Sequence, residues 1–190
     1  INAGTLSVTG SLNDVTAVTV ASGATYDVAA SDTIASLAGA GNVTLNSNTL
    51  TVGGSSNTTY SGVMSGTGSL VKAGTATFTM SGANTYTGGT NIQSGYLQVT
   101  GISGTPLGTG IVQVYPGAAL RIGANIGAAG TIGSAALSTL GRWNSYGIVG
   151  LDNDNFDPSS TLNATSFSNA YGAILAITRP FYAGSLDQST

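Results

Sequence analysis

The sequence predicts an all-β protein of a single architecture: a parallel β-helix, or β-solenoid, of about 20 residues per coil. A glycine-containing phrase recurs at roughly that spacing. Ala, Val, Leu, Ile and Thr dominate the candidate core, and charge is almost absent from the 190 residues.

The repeated phrase begins at the first residue. Ile1–Val8 reads INAGTLSV and Ile92–Val99 reads IQSGYLQV, both of the form I-x-x-G-x-L-x-V. Val20–Val28 (VASGATYDV) and Val114–Ile122 (VYPGAALRI) are looser versions. In each, a glycine turn is followed by alternating apolar residues, so one side of a strand faces inward. The phrase glycines are Gly4, Gly23, Gly95 and Gly117, 19 residues apart in the first pair and 22 in the second. The interval from Gly23 to Gly95 leaves room for three to four more units. Strand-like runs fill it at Asn42–Val52, Ser69–Lys72 and Thr75–Met80. Coils of this size cannot bury their own apolar face, so each stacks on the next. Dividing the chain by the period gives eight or nine coils, regular over 1–122 and less regular over 123–190. The rival architecture, a β-sandwich, does not require a phrase repeated at near-constant spacing.

Composition fits such a stack and excludes several functions. Charged residues make up 6% of the chain, against about 25% in ordinary soluble domains. The four basic residues, Lys72, Arg121, Arg142 and Arg179, are scattered, and the net charge is −3. Nucleic acid is therefore not an expected partner, because phosphates need clustered cations. With no Cys and no His, disulfides, thiolate metal sites and Ser-His-Asp catalysis are excluded. The most apolar stretch, Ala170–Thr178, is far shorter than a membrane-spanning helix, so insertion of this segment into a membrane is not expected. The start at Ile1, without Met or a signal-peptide pattern, reads as an excised or processed piece.

The C-terminal third is less legible. Ser134–Leu140 fits one or two helical turns or a coil of small residues. Trp143 and Tyr146 fit a core plug better than a sugar platform. Asp152, Asp154 and Asp157 in LDNDNFDP supply hard oxygens at a spacing that could surround Ca²⁺, the one cofactor the residues suggest. The run lacks the Gly and terminal Glu of an EF-hand loop, and an Asx-rich turn closed by Pro158 competes. Asp14, Asp27 and Asp32 lie one coil apart at best, with no basic residue near, which is poor material for paired acid–base catalysis. Thr75, Thr77 and Thr79 share one strand face and Thr49 and Thr51 echo them, but a water-ordering ladder needs the motif in successive coils.

One segment carries more than pattern. Gly66–Thr100 reads GTGSLVKAGTATFTMSGANTYTGGTNIQSGYLQVT. It resembles the passenger-associated transport repeat of autotransporters at Gly66, Gly68, Leu70, Lys72, Gly74, Thr77, Gly82, Asn84, Thr85, Tyr86, Gly88, Thr90, Ile92, Gly95, Leu97 and Val99. Ala76 departs from it, standing where a second glycine is usual. Ile1–Val8 is similar to the tail of a preceding copy.

The resemblance implies a right-handed parallel β-helix, secreted through an outer membrane and displayed or released outside the cell, and a role in passenger secretion and folding rather than catalysis. In Asn84-Thr85-Tyr86 the Asn suits a tight corner, and the Tyr packs its ring while keeping its hydroxyl in water. The expected function is a non-catalytic structural or adhesive stalk of a bacterial surface protein. Its expected partners are neighbouring coils of a longer chain, a copy stacked end to end, and a host or matrix glycan or protein. A homopolymeric surface fibre and a polysaccharide-active or polysaccharide-binding β-helix are the alternatives.

Overall fold

The computed structural model describes residues 1–100 and 105–123 and the strands 143–145, 148–152 and 174–177. The described residues contain strands and turns and no helix. In the first coil lie β1 (Thr5–Val8) and β2 (Ala17–Val20); in the second, β3 (Thr25–Val28), β4 (Asp32–Ile34) and β5 (Ser36–Gly39). The third holds β6 (Asn42–Thr44), β7 (Thr49–Val52) and β8 (Thr58–Tyr60), and the fourth β9 (Met64–Ser65), β10 (Ser69–Lys72) and β11 (Thr77–Met80). The fifth has β12 (Thr90–Ile92) and β13 (Gly95–Val99), and the sixth β14 (Val112–Val114) and β15 (Ala118–Gly123). Beyond these lie β16 (Trp143–Ser145), β17 (Ile148–Asp152) and β18 (Ile174–Ile177).

Among the described residues every strand pairing is parallel, and the strands fall into three sheets of four, six and eight. The four-stranded sheet is β1-β3-β6-β9. The six-stranded sheet runs from β4 to β16 and the eight-stranded sheet from β2 to β18. The chain visits the three walls in turn and returns to the first one coil later, so Thr5 lies opposite Thr25 and Leu50 opposite Leu70. Residues 1–123 make about six turns, and β16, β17 and β18 continue two of the walls beyond them. At the ordinary strand spacing, six stacked coils rise roughly 25 Å.

Inward residues form continuous columns. Val20, Gly39, Tyr60, Met80 and Val99 follow one another up the eight-stranded sheet. Ile34, Val52, Lys72, Ile92 and Val114 do so in the six-stranded sheet. Alternate residues of each strand point into this shared interior, as the burial of Leu50 and Val52 in β7 shows. No coil has a core of its own.

The corners explain the glycines. All four phrase glycines have positive φ: Gly4 (68°), Gly23 (82°), Gly95 (66°) and Gly117 (83°), which is the region that an L side chain avoids. The same turn-then-strand device serves different walls. Gly4 and Gly23 lead into the four-stranded sheet, whereas Gly95 and Gly117 lead into the eight-stranded one. The repeated phrase therefore marks a local turn rather than one column. The run Asn42–Val52 is likewise two strands, broken by a corner at Leu45–Asn48 in which Asn46 has φ 53°. Thr49 and Thr51 lie in the six-stranded sheet and Thr77 and Thr79 in the eight-stranded one, so these threonines build no common ladder.

Candidate functional site

The informative chemistry lies inside the wall. Five polar or charged side chains are buried among the described residues: Asp32, Ser36, Lys72, Asn84 and Thr90. A buried polar group costs free energy unless it is hydrogen-bonded, so their partners show what they do. Three of the five fall between residues 70 and 99.

Lys72 occupies an inward column otherwise filled by Ile34, Val52, Ile92 and Val114. Leu70 points inward, and the two-residue period of β10 carries Lys72 to the same side. Lys72 is 1% exposed. It donates to the carbonyls of Ala73, of Gly74 at 3.0 Å and of Ser94 at 3.3 Å. Ala73 and Gly74 belong to the same coil and Ser94 to the next, so one side chain ties two corners together. Burial disfavours the charged form and pushes its pKa down to about 8.

Asn84 is fully buried and bridges three coils. Its Oδ1 accepts from the amide of Met64 below at 2.7 Å. Its Nδ2 donates to the Gly82 carbonyl at 3.2 Å and to the Pro106 carbonyl above at 2.6 Å. The four-stranded sheet ends at β9, which contains Met64. Directly above, where a fifth strand would lie, the chain runs through Asn84-Thr85-Tyr86 without strand geometry. Backbone bonding to the coil below continues here, with Thr85 and Thr87 donating to the Met64 and Gly66 carbonyls at 2.8 and 3.0 Å, and the Asn side chain adds the acceptor for the Met64 amide. Thr105 Oγ1 continues the column by donating to the Asn84 carbonyl at 2.5 Å.

Tyr86 and Thr90 close the next corner. The Tyr86 hydroxyl lies 2.5 Å from Thr90 Oγ1, which donates to the Leu107 carbonyl at 3.3 Å. Tyr86 is fully buried, so its hydroxyl is satisfied by protein and not, as its residue type suggests, by water. A related arrangement stands three coils earlier. Tyr26 donates to Asp32 Oδ2 at 3.2 Å, and Asp32 occupies the inward column that continues through Leu50 and Leu70 to Thr90. The Asp32 carboxylate also accepts from the amides of Leu12 and Thr33, anchoring the first coil to the second. Burial, reinforced by the Asp32 charge, raises the Tyr26 hydroxyl well above its ordinary range.

The residues suggested for calcium are not brought together within the described residues: Asp152 ends β17, and Asp154 and Asp157 lie outside them. Ser134–Leu140 and Tyr146 also lie outside, and Trp143 begins β16. Among the described residues, no three acidic, His or Cys side chains cluster as metal ligands. Asp27 and Asp32 share a coil rather than lying a coil apart, yet they serve separate structures. Asp27 accepts from Ser7 Oγ at 2.6 Å and Asn46 Nδ2 at 2.7 Å, and those hydrogen bonds lower its pKa.

The cross-coil clamps coincide with a known motif: residues 70–99 match the family model of the passenger-associated-transport-repeat. The chain carries this transport repeat. No curated protein and no solved structure matches the chain. Within the transport repeat β12 lies on β10 and β13 on β11, so its second half stacks on its first. Lys72 and Ser94 join the halves, while Asn84 reaches the coils on both sides. No helix among the described residues is long and apolar enough to cross a membrane.

Sequence reasoning recognised the Asn84–Tyr86 corner but missed the buried roles of Lys72, Thr90 and Asp32. The signal was present. Each occupies the same phase as a neighbouring apolar residue two positions away, in LVK, TNI and DTI.

Proposed function

We propose that this chain is a non-catalytic, load-carrying segment of a secreted bacterial surface protein, a stalk or passenger that holds an adhesive or other element away from the cell. The observation that carries the reading is the use made of the transport repeat's polar residues. Lys72, Asn84 and Thr90 all face inward and link one coil to the next. A motif whose polar groups are spent on stacking suits assembly of a rod rather than handling of a substrate. The match to a passenger transport repeat supports export and exposure outside the cell.

Antibodies against residues 1–190, applied to intact cells of the source bacterium, test the placement, and incubation of the purified chain with plant and bacterial polysaccharides tests the absence of catalysis. Labelling of intact cells without release of sugar ends is the expected pair of results. Signal only after lysis, or steady release of sugar ends, overturns the proposal.

A further inference from the structure

A recess on the outer surface points to a binding site separate from the transport repeat. It arises from unequal corners between the six-stranded and eight-stranded walls. In the second coil Ala35 alone separates β4 from β5, whereas five residues separate β7 from β8 in the third. In the first coil the approach to β2 passes through a turn closed by Asn13, which accepts from Val15 and Thr16. A one-residue corner between two longer ones leaves a notch of about 540 Å³. Its floor is Ala35 and Ser36, one wall Asp14 and Val15, and the other Ser55 and Ser56.

Two groups in this notch lack the partners that their counterparts have. Asp32, Lys72, Asn84 and Thr90 all make side-chain hydrogen bonds, but Ser36, only 8% exposed, makes none through its hydroxyl to any described residue. Asp27 and Asp32 are both engaged by neighbouring donors, whereas the Asp14 carboxylate has no partner among the described residues. Native structures rarely leave a buried hydroxyl unsatisfied without a reason. Beside Asp14, Val15 is 79% exposed at the rim. The floor itself is held firmly, with the Ala35 amide donating to Thr16 and the Gly54 amide to Ala35.

We infer that this notch binds an extended peptide segment bearing a lysine or arginine side chain between small residues. Asp14 would take the cationic head and Val15 cover its aliphatic stem. The Ser36, Ser55 and Ser56 hydroxyls suit peptide amides, and the small side chains of the lining, Ala35 beside Gly53 and Gly54, let a backbone approach closely. Among the described residues, the lining offers no aromatic ring on which a sugar could stack and no cation for an anionic ligand. The site depends on the corners and not on the export role proposed above.

The test is a titration of the ¹⁵N-labelled 190-residue chain with the acetylated, amidated pentapeptide Ala-Gly-Lys-Gly-Ala. Saturable amide shifts confined to the neighbourhood of Asp14, Ser36, Ser55 and Ser56 are expected at millimolar peptide. The affinity falls about threefold to tenfold in Asp14→Asn, and similarly when norleucine replaces the peptide lysine. Asp14 supports no described contact, so the variant retains the parent spectrum elsewhere. Absence of saturable shifts overturns the inference. So does binding indifferent to both substitutions, or an uncharged pentasaccharide that moves the same amides as strongly.

Discussion

Replacing Asn84 by Ala is the sharpest probe of how the transport repeat holds the solenoid. The substitution removes an acceptor 2.7 Å from the Met64 amide and donors 2.6 Å from the Pro106 carbonyl and 3.2 Å from the Gly82 carbonyl. The site is fully buried, so water cannot readily take their place. Stranding a buried polar group costs about 1–3 kcal/mol. Two short bonds and one long one then give a loss of about 3–5 kcal/mol. Because coils contact only their neighbours, stability is close to a sum of coil and interface terms, and the damage belongs to the interfaces of the fourth, fifth and sixth coils. Urea unfolding measures the total, and amide hydrogen exchange its location. Protection should fall around Met64 while Tyr26 and Val28, two coils below, keep theirs. A loss under about 1 kcal/mol, or a uniform fall across all coils, refutes the view that this side chain completes the bonding of the wall above β9.

Lys72 gives the fold an unusual pH dependence. Its pKa is about 8 in the folded chain, against an ordinary value of 10.5, so between these values the unfolded chain holds more protons and stability rises with pH. The rise is bounded at about 3 kcal/mol, and above about pH 10 it reverses as the buried Tyr26 and Tyr60 hydroxyls, both raised by burial, favour the unfolded chain by ionising there first. Denaturation from pH 7 to 10 should show the rise in the parent and a flatter curve in Lys72→Met; equal slopes refute it. Two glycine substitutions should differ for steric reasons. A Cβ on Gly62 would sit 1.8 Å from the Gly41 carbonyl oxygen, whereas one on Gly117 meets nothing within 4 Å and bears only the strain of φ +83°. Gly117→Ala should therefore cost about 1–2 kcal/mol and Gly62→Ala about 3 kcal/mol or more, read as midpoint shifts in urea; similar shifts would refute the close stacking of that corner.

The parts of this structure legible in the sequence are those governed by short-range rules. Positive φ at Gly4, Gly23, Gly95 and Gly117 follows from a turn followed by alternation, and β10 matches its expected span of Ser69–Lys72. The number of walls was not legible, because a turn phrase looks the same whichever sheet it feeds. Ile1–Val8 and Ile92–Val99 are near copies, yet their strands lie in different sheets. Residue type also misled where it outweighed phase. A lysine is ordinarily at the surface, and counting Lys72 only as one of four scattered basic residues overlooks that β10 alternates it inward with Leu70. Tyr86 shows the same error in milder form, since its hydroxyl was assigned to water and instead meets Thr90.

The position of the transport repeat follows from the same accounting of hydrogen bonds. From the second coil to the fourth, backbone ladders on three walls hold each turn to the next. Above β9 one wall loses strand geometry, while the six-stranded and eight-stranded sheets continue through β12 and β13. Thr85 and Thr87 still donate to the Met64 and Gly66 carbonyls there, but the Met64 amide and the Asn84 and Pro106 carbonyls are met by side chains, since backbone groups in native proteins are almost never buried unpaired. The Asn84 and Thr105 side chains thus supplement the backbone bonds of this wall, and Tyr86 and Thr90 carry the bonding round to the next. These contacts demand particular donors and acceptors at fixed heights, which an apolar column does not. Polar residues inside the solenoid thus mark where shape alone no longer sets the register of one coil on another, and the transport repeat occupies that place.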